Sequence, residues 1–181
     1  MKQNHLIIGL GGTGGKIIQA FRKIIFQEYR RTNDFSVNID YIYIDSSDEL
    51  MKDNDPNWKT LGYSVQLEKK SHLLIQGANL KAVIKNLDSY PSIKGWIGDE
   101  SQWNDILSSV VGEMLGGQKR RLGRFLFSLK ANDFKNMLNA RIRDLQSKGN
   151  ASVTFHICCG LAGGTGSGSI VDVISQIRKE Y

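Results

Sequence analysis

The order of apolar and polar residues predicts an α/β fold, a doubly wound and mainly parallel sheet with helices on both faces. Three observations predict it. Segments 5–9, 37–45 and 153–159 are near-continuous apolar or β-branched runs, as strands buried on both faces require. Helical periodicities lie between and after them. A glycine-rich segment follows the first and the third strand and opens a helix each time.

The first strand covers 5–9 and the first helix runs from Lys16 to Arg31. Ile17, Phe21 and Ile24 form one line on that helix, with Ile18 and Ile25 beside it. Thr32-Asn33-Asp34 breaks it. In the second strand, Ile39, Tyr41 and Tyr43 alternate against Ile42 and Ile44, and Asp45-Ser46-Ser47-Asp48 closes it in a polar turn. Residues 49–62 are polar and irregular, and Tyr63, Val65 and Leu67 alternate as a short edge strand. Leu80, Val83, Ile84 and Leu87 describe a helix that stops before Pro91. Asn104 can cap a helix carrying Ile106, Leu107, Val110, Val111 and Met114, ended by Gly116-Gly117. Arg121 to Lys148 reads as one mostly helical stretch, with Asn132 a candidate interruption and Gly149 a C-cap. Phe134, Leu138, Ile142 and Leu145 share its apolar face. The last helix carries Ile170, Ile174 and Ile177.

The 181 residues suffice for a single domain, 1–181, and no strand follows the final helix, so the expected sheet is incomplete on its C-terminal side. No apolar run approaches the length of a membrane span. Cys158 and Cys159 are adjacent in one strand and face opposite ways, so they are poorly placed to bridge each other. Together these features lead us to expect a cytoplasmic protein. The net charge of +6 is moderate. Lys119, Arg120, Arg121 and Arg124 cluster without the interleaved aromatics of a single-strand binder, so no nucleic-acid partner is expected.

The glycine segments carry the chemistry. A run without side chains lets several backbone N–H groups converge on an anion, and the helix N-terminus behind adds partial positive charge. The first run is Gly9-Leu10-Gly11-Gly12-Thr13-Gly14-Gly15, and the second is Ala162-Gly163-Gly164-Thr165-Gly166-Ser167-Gly168. Two such runs at the carboxyl ends of parallel strands, near Asp45, point to a nucleotide held by its phosphates. A P-loop is excluded, because Leu10 stands where its first glycine belongs and Ile17 where its Mg²⁺-binding hydroxyl belongs. Gly9-x-Gly11-x-x-Gly14 fits a dinucleotide fingerprint. Asp45, however, lies 31 residues after Gly14 (45 − 14), against about 20 in that motif. A Rossmann-type NAD(P) domain of an oxidoreductase therefore stays open as an alternative. Tight turns and helix–strand packing are the plain alternative for any one glycine.

The second run resembles the signature of the tubulin and FtsZ family of GTPases, a small residue followed by Gly-Gly-Thr-Gly-(Ser or Ala)-Gly, and all seven positions from Ala162 to Gly168 agree. The first run is similar to the opening loop of FtsZ. Ile44-Asp45-Ser46-Ser47-Asp48 sits where FtsZ-like proteins have a strand ending in an Asn-Thr-Asp type turn. Gly116-Gly117 with the basic residues to Arg124 occupies the place of a third phosphate-side loop. The resemblance spans nearly the whole chain and is nearest to bacterial tubulin-like proteins that are neither FtsZ nor tubulin.

The resemblance implies a Rossmann-like N-terminal GTPase domain that binds GTP or GDP with Mg²⁺. The nucleotide-binding residues it implies are Gly11, Gly12, Thr13, Gly14, Gly15, Lys16, Asp45, Ser46, Gly117, Ala162, Gly163, Gly164, Thr165, Gly166 and Ser167. Thr165 and Ser167 can donate hydroxyls to phosphate, and Asp45 or Asp48 can hold the ribose or order the water shell of Mg²⁺. Lys16 replaces the Asn usual in FtsZ and either neutralises phosphate or faces solvent. In the family, hydrolysis is completed between subunits of a filament by an acidic loop downstream of a central helix. The chain stops at Tyr181, before that loop, so no catalytic residue is assigned, and self-association is expected through a longer chain. A non-hydrolysing, tubulin-like scaffold module is a further alternative. His156 is expected to be a lone core histidine, and His5 and His72 to have no metal-binding partners. Trp58, Trp96 and Trp103 are expected to pack locally.

Overall fold

The computed structural model describes residues 2–30, 36–76, 79–99, 103 and 120–181. The expected helix at 104–114, its glycine end with Gly117, the break at 32–34 and Lys119 lie outside the described residues. Strands β1 (Gln3–Leu10), β2 (Val37–Asp45), β5 (His72–Leu74) and β6 (Val153–Cys159) form one parallel sheet in the order β5-β2-β1-β6. The chain moves one way from β1 to β2 and the other way to reach β6. This reversal opens a crevice at the carboxyl ends of β1 and β6, where α/β sheets bind ligands.

Alternation along the strands sorts the side chains into two cores. Leu6, Ile8, Leu10, Ile42 and Ile44 face one layer of helices. That layer consists of α2 (Leu80–Lys85), α3 (Pro91–Ile97), α4 (Arg120–Leu129), α5 (Ala131–Lys148) and α6 (Gly164–Glu180). On the other side Ile7, Tyr41 and Tyr43 meet Ile18 of α1 (Gly11–Tyr29), together with Trp58, Val65 and Leu67 from the segment between β2 and β5. The doubly wound α/β reading therefore holds.

Several local expectations need correcting. Helix α1 starts at Gly11 rather than Lys16, and α6 starts at Gly164, so both glycine runs extend into the first helical turn. The line Ile17, Phe21 and Ile24 is largely exposed (42%, 36% and 56%), whereas Ile18, beside it, is fully buried. Periodicity locates a helix but not the side on which the sheet lies. The stretch 121–148 is two helices, broken at Lys130 rather than Asn132. The break lets Phe127 and Phe134 pack 5.5 Å apart in the same core. Tyr63 does not belong to an edge of the main sheet. Tyr63–Ser64 (β4) pairs only with Lys59–Thr60 (β3), through a turn in which Leu61 and Gly62 both have positive φ. The edge of the main sheet beside β2 is β5, only three residues long.

His156 is not a lone core histidine. It is exposed on β6, and its Nε2 lies 3.0 Å from His5 Nδ1. His72 is half-buried, and its Nε2 has no partner. Trp58 is fully buried with its indole N–H on the Leu50 carbonyl, and Trp96 lies under the Arg124 guanidinium. Cys158 and Cys159 are free thiols.

Candidate nucleotide site

Helices α1 and α6 begin side by side at the crevice. A Cβ on Gly11 would lie 3.1 Å from Gly166 N and 3.3 Å from Thr165 Cβ, so the two first turns touch. Gly11 has φ +67°, which admits this approach without strain. Neither helix has a side-chain N-cap or an acidic residue in its first turn. The N–H groups of two helix starts are thus left without side-chain acceptors at one place.

They open on a cavity of about 250 Å³. Of the residues expected to bind nucleotide, Gly11, Gly12, Thr13, Lys16, Asp45, Ser46, Gly163, Gly164, Thr165 and Gly166 line it. Leu10, Ser47, Glu49, Leu50 and Gly160 complete the wall, and no sequence signal singled out Glu49, Leu50 or Gly160. Gly14, Gly15, Ala162 and Ser167 are not in the wall, and Gly117 lies outside the described residues.

The glycines divide by what a side chain would meet. At Gly12 and Gly163 there is nothing within 4 Å, so the missing side chain leaves room in the cavity. At Gly14 a Cβ would sit 2.5 Å from Cys158 O, and at Gly15 2.6 Å from the Tyr43 ring. Those two glycines let α1 lie down on the sheet. The packing reading therefore accounts for Gly14 and Gly15, and the open-space reading for Gly12 and Gly163.

The acidic turn after β2 is organised from within. Asp45 is buried; its Oδ2 accepts from Tyr43 Oη at 2.6 Å, and its Oδ1 accepts from Ser46 N at 2.7 Å. Burial, and then the Asp45 carboxylate, push the Tyr43 hydroxyl far above its ordinary value, so it stays a donor. Ser46 Oγ in turn lies 2.9 Å from Thr165 Oγ1 on the facing helix. Ser167 Oγ donates to Gly163 O, which turns it back on its own helix.

Charged side chains at the rim are sparse. Lys16 is exposed on the wall, and Glu49, after β2, is the other charged side chain there besides Asp45. The described arginines of the basic cluster are committed to neighbours: Arg120 to Leu161 O, Arg121 to Ile97 O, and Arg124 to Asp172 at 2.9 Å. Among the described residues there is no cluster of three or more His, Cys, Asp or Glu fit to hold a metal ion, and no helix long and apolar enough to cross a membrane.

Comparison with known proteins agrees with the fold. The model of a family described as tubulin-like matches residues 6–181. The structure is similar to that of CetZ1 from Haloferax volcanii, a GDP-bound monomer, with a TM-score of 0.53 and 15% sequence identity. That likeness covers 99% of this chain and 38% of the CetZ1 chain, so the present chain spans well under half of that protein. No curated protein matches in sequence. With a family match over nearly its whole length, the chain belongs to the tubulin-like family.

Proposed function

We propose that this domain binds GTP or GDP, with the phosphates held between the first turns of α1 and α6. The observation that carries the reading is the pair of uncapped helix N-termini that meet at Gly11 and Gly166, with open space before Gly12 and Gly163. Each N-terminus presents roughly half a positive charge and several free N–H donors. Phosphate satisfies both, and an apolar or cationic ligand satisfies neither. Lys16 adds a full charge beside them. The GDP bound to CetZ1 supports the choice of guanine nucleotide.

The residues present also fit Mg²⁺. This ion keeps several waters and is usually held by phosphates plus one or two carboxylates, so it needs no all-protein cage. Both Asp45 oxygens are engaged, which leaves Glu49 at the rim as the carboxylate free to order that water shell. The same engagement weighs against the dinucleotide reading, in which Asp45 would be the ribose acid.

Calorimetric titration tests the reading. GDP and GTP should bind, while guanosine should bind at least about a hundredfold more weakly because the helix starts hold phosphate. Tighter binding of NAD than of GDP, or equal binding of GDP and guanosine, would contradict it.

A further inference from the structure

We infer that the buried Tyr43 hydroxyl is a positioning group for the cavity, acting through Asp45 and Ser46 on Thr165 at the opposite wall. Four observations form one chain. The Tyr43 ring is fully buried against the first turn of α1, where a Cβ on Gly15 would meet it at 2.6 Å. Its hydroxyl donates to Asp45 Oδ2 at 2.6 Å. The other oxygen of that carboxylate accepts from Ser46 N at 2.7 Å and, more loosely, from Ser47 N at 3.4 Å. Ser46 Oγ then meets Thr165 Oγ1 at 2.9 Å.

A buried carboxylate needs donors on both oxygens, and here one donor is a tyrosine locked by packing and the other is the backbone of the turn. Asp45 therefore cannot rotate toward the cavity without losing both bonds. Its fixed position holds the Ser46 amide, and hence the Ser46 hydroxyl, at bonding distance from Thr165. The relay connects the first turn of α1 to the first turn of α6 by way of the end of β2. It thereby holds the width of the cleft between the β2 turn and the second glycine turn. Tyr43 does not itself line the cavity, and its role is to position the groups that do.

The inference uses the nucleotide reading for its affinity readout only, and the test has two arms. Tyr43→Phe keeps the ring and removes the hydroxyl. In the absence of nucleotide, amide hydrogen exchange in Tyr43→Phe should rise at 45–48 and also at 167–169, the first amides bonded within α6, which Tyr43 does not touch. Asp45→Asn can keep both bonds, with its amide donating to the tyrosine oxygen, and should leave 167–169 close to wild type. Exchange that rises only at 45–48 would overturn the relay, as would an unchanged pattern.

In the second arm, Tyr43→Phe and Ser46→Ala should each weaken GDP binding about fivefold, the worth of one ordinary hydrogen bond. The double variant should be no worse than Ser46→Ala alone. Additive losses would overturn the proposal. Absence of GDP binding in the wild type would instead sink the nucleotide reading and leave the exchange arm standing.

Discussion

Gly11 and Gly166 bring two helix starts together: a Cβ on the first would lie 3.1 Å from the backbone nitrogen of the second. A side chain at Gly11 would push the two helix starts apart, and a Cβ on Gly166 would press on Leu10 O at the end of β1, 2.9 Å away. Gly12 and Gly163, by contrast, border empty space. Gly12→Val and Gly163→Val should therefore leave the melting temperature nearly unchanged and weaken GDP binding at least about tenfold, because the new side chain enters the open space proposed for phosphate. Gly14→Ala should do the reverse, lowering stability by about 1–3 kcal/mol, since its Cβ would press on Cys158 O. Paired thermal melts and titrations separate the two classes.

A second close approach braces the α6 turn from outside. A Cβ on Gly123 of α4 would lie 2.2 Å from Gly164 O, and one on Gly168 2.2 Å from Arg120 O. Gly123→Ala should cost about 1–3 kcal/mol in urea denaturation by forcing the helices apart. It should also weaken GDP binding, because Gly164 belongs to the cavity wall. A stability loss with unaltered affinity would show that the α6 turn keeps its shape without α4.

Arg141 is a buried cation at the opposite end of the sheet. Its side chain is 5% exposed, lies 3.5 Å from Asp40 and donates to Lys70 O, while its Nε has no partner. Arg141→Ala should cost about 3–5 kcal/mol by stranding the Asp40 carboxylate and the carbonyl. Arg141→Met, which fills the same volume, should cost less. Denaturant midpoints of the two variants provide the comparison, and GDP affinity should not change in either.

His72 introduces a pH dependence. Burial lowers its pKa below the ordinary 6.5 and outweighs the opposing Asp53 carboxylate. The unfolded chain therefore takes up a proton on His72 before the folded one does. Stability is full above pH 6.5 and falls as the pH drops from there toward the folded-state pKa. His72→Gln should flatten the difference in melting temperature between pH 7.5 and pH 5.5, which lie on either side of the unfolded-state value. An unchanged difference would assign the dependence to other groups.

The sequence announced β1, β2 and β6 because strands covered on both faces are apolar throughout, and Ile42 and Ile44 could hardly belong anywhere else. The seven residues Ala162 to Gly168 likewise announced the family. Other features were hidden for physical reasons. Three residues at His72–Leu74 carry too little pattern to be seen as a strand. Ile17, Phe21 and Ile24 form a better apolar line than the residues α1 actually buries. The glycine runs looked like loops because glycine disfavours helix interiors, yet Gly11 and Gly164 are tolerated in a first turn that leaves the N–H groups free. Within the site, sequence could nominate Asp45 but not Tyr43, whose contribution depends on a partner two residues away on the same strand and on packing against Gly15.

The central claim is that two helix starts hold one ligand's phosphates together. Amide hydrogen exchange with and without GDP tests it most directly, read at 11–13 on α1 and at 164–166 on α6. The account predicts that GDP protects both segments at the same nucleotide concentration, and that guanosine protects neither. Protection of the α1 segment alone, or of neither segment under saturating GDP, would contradict it.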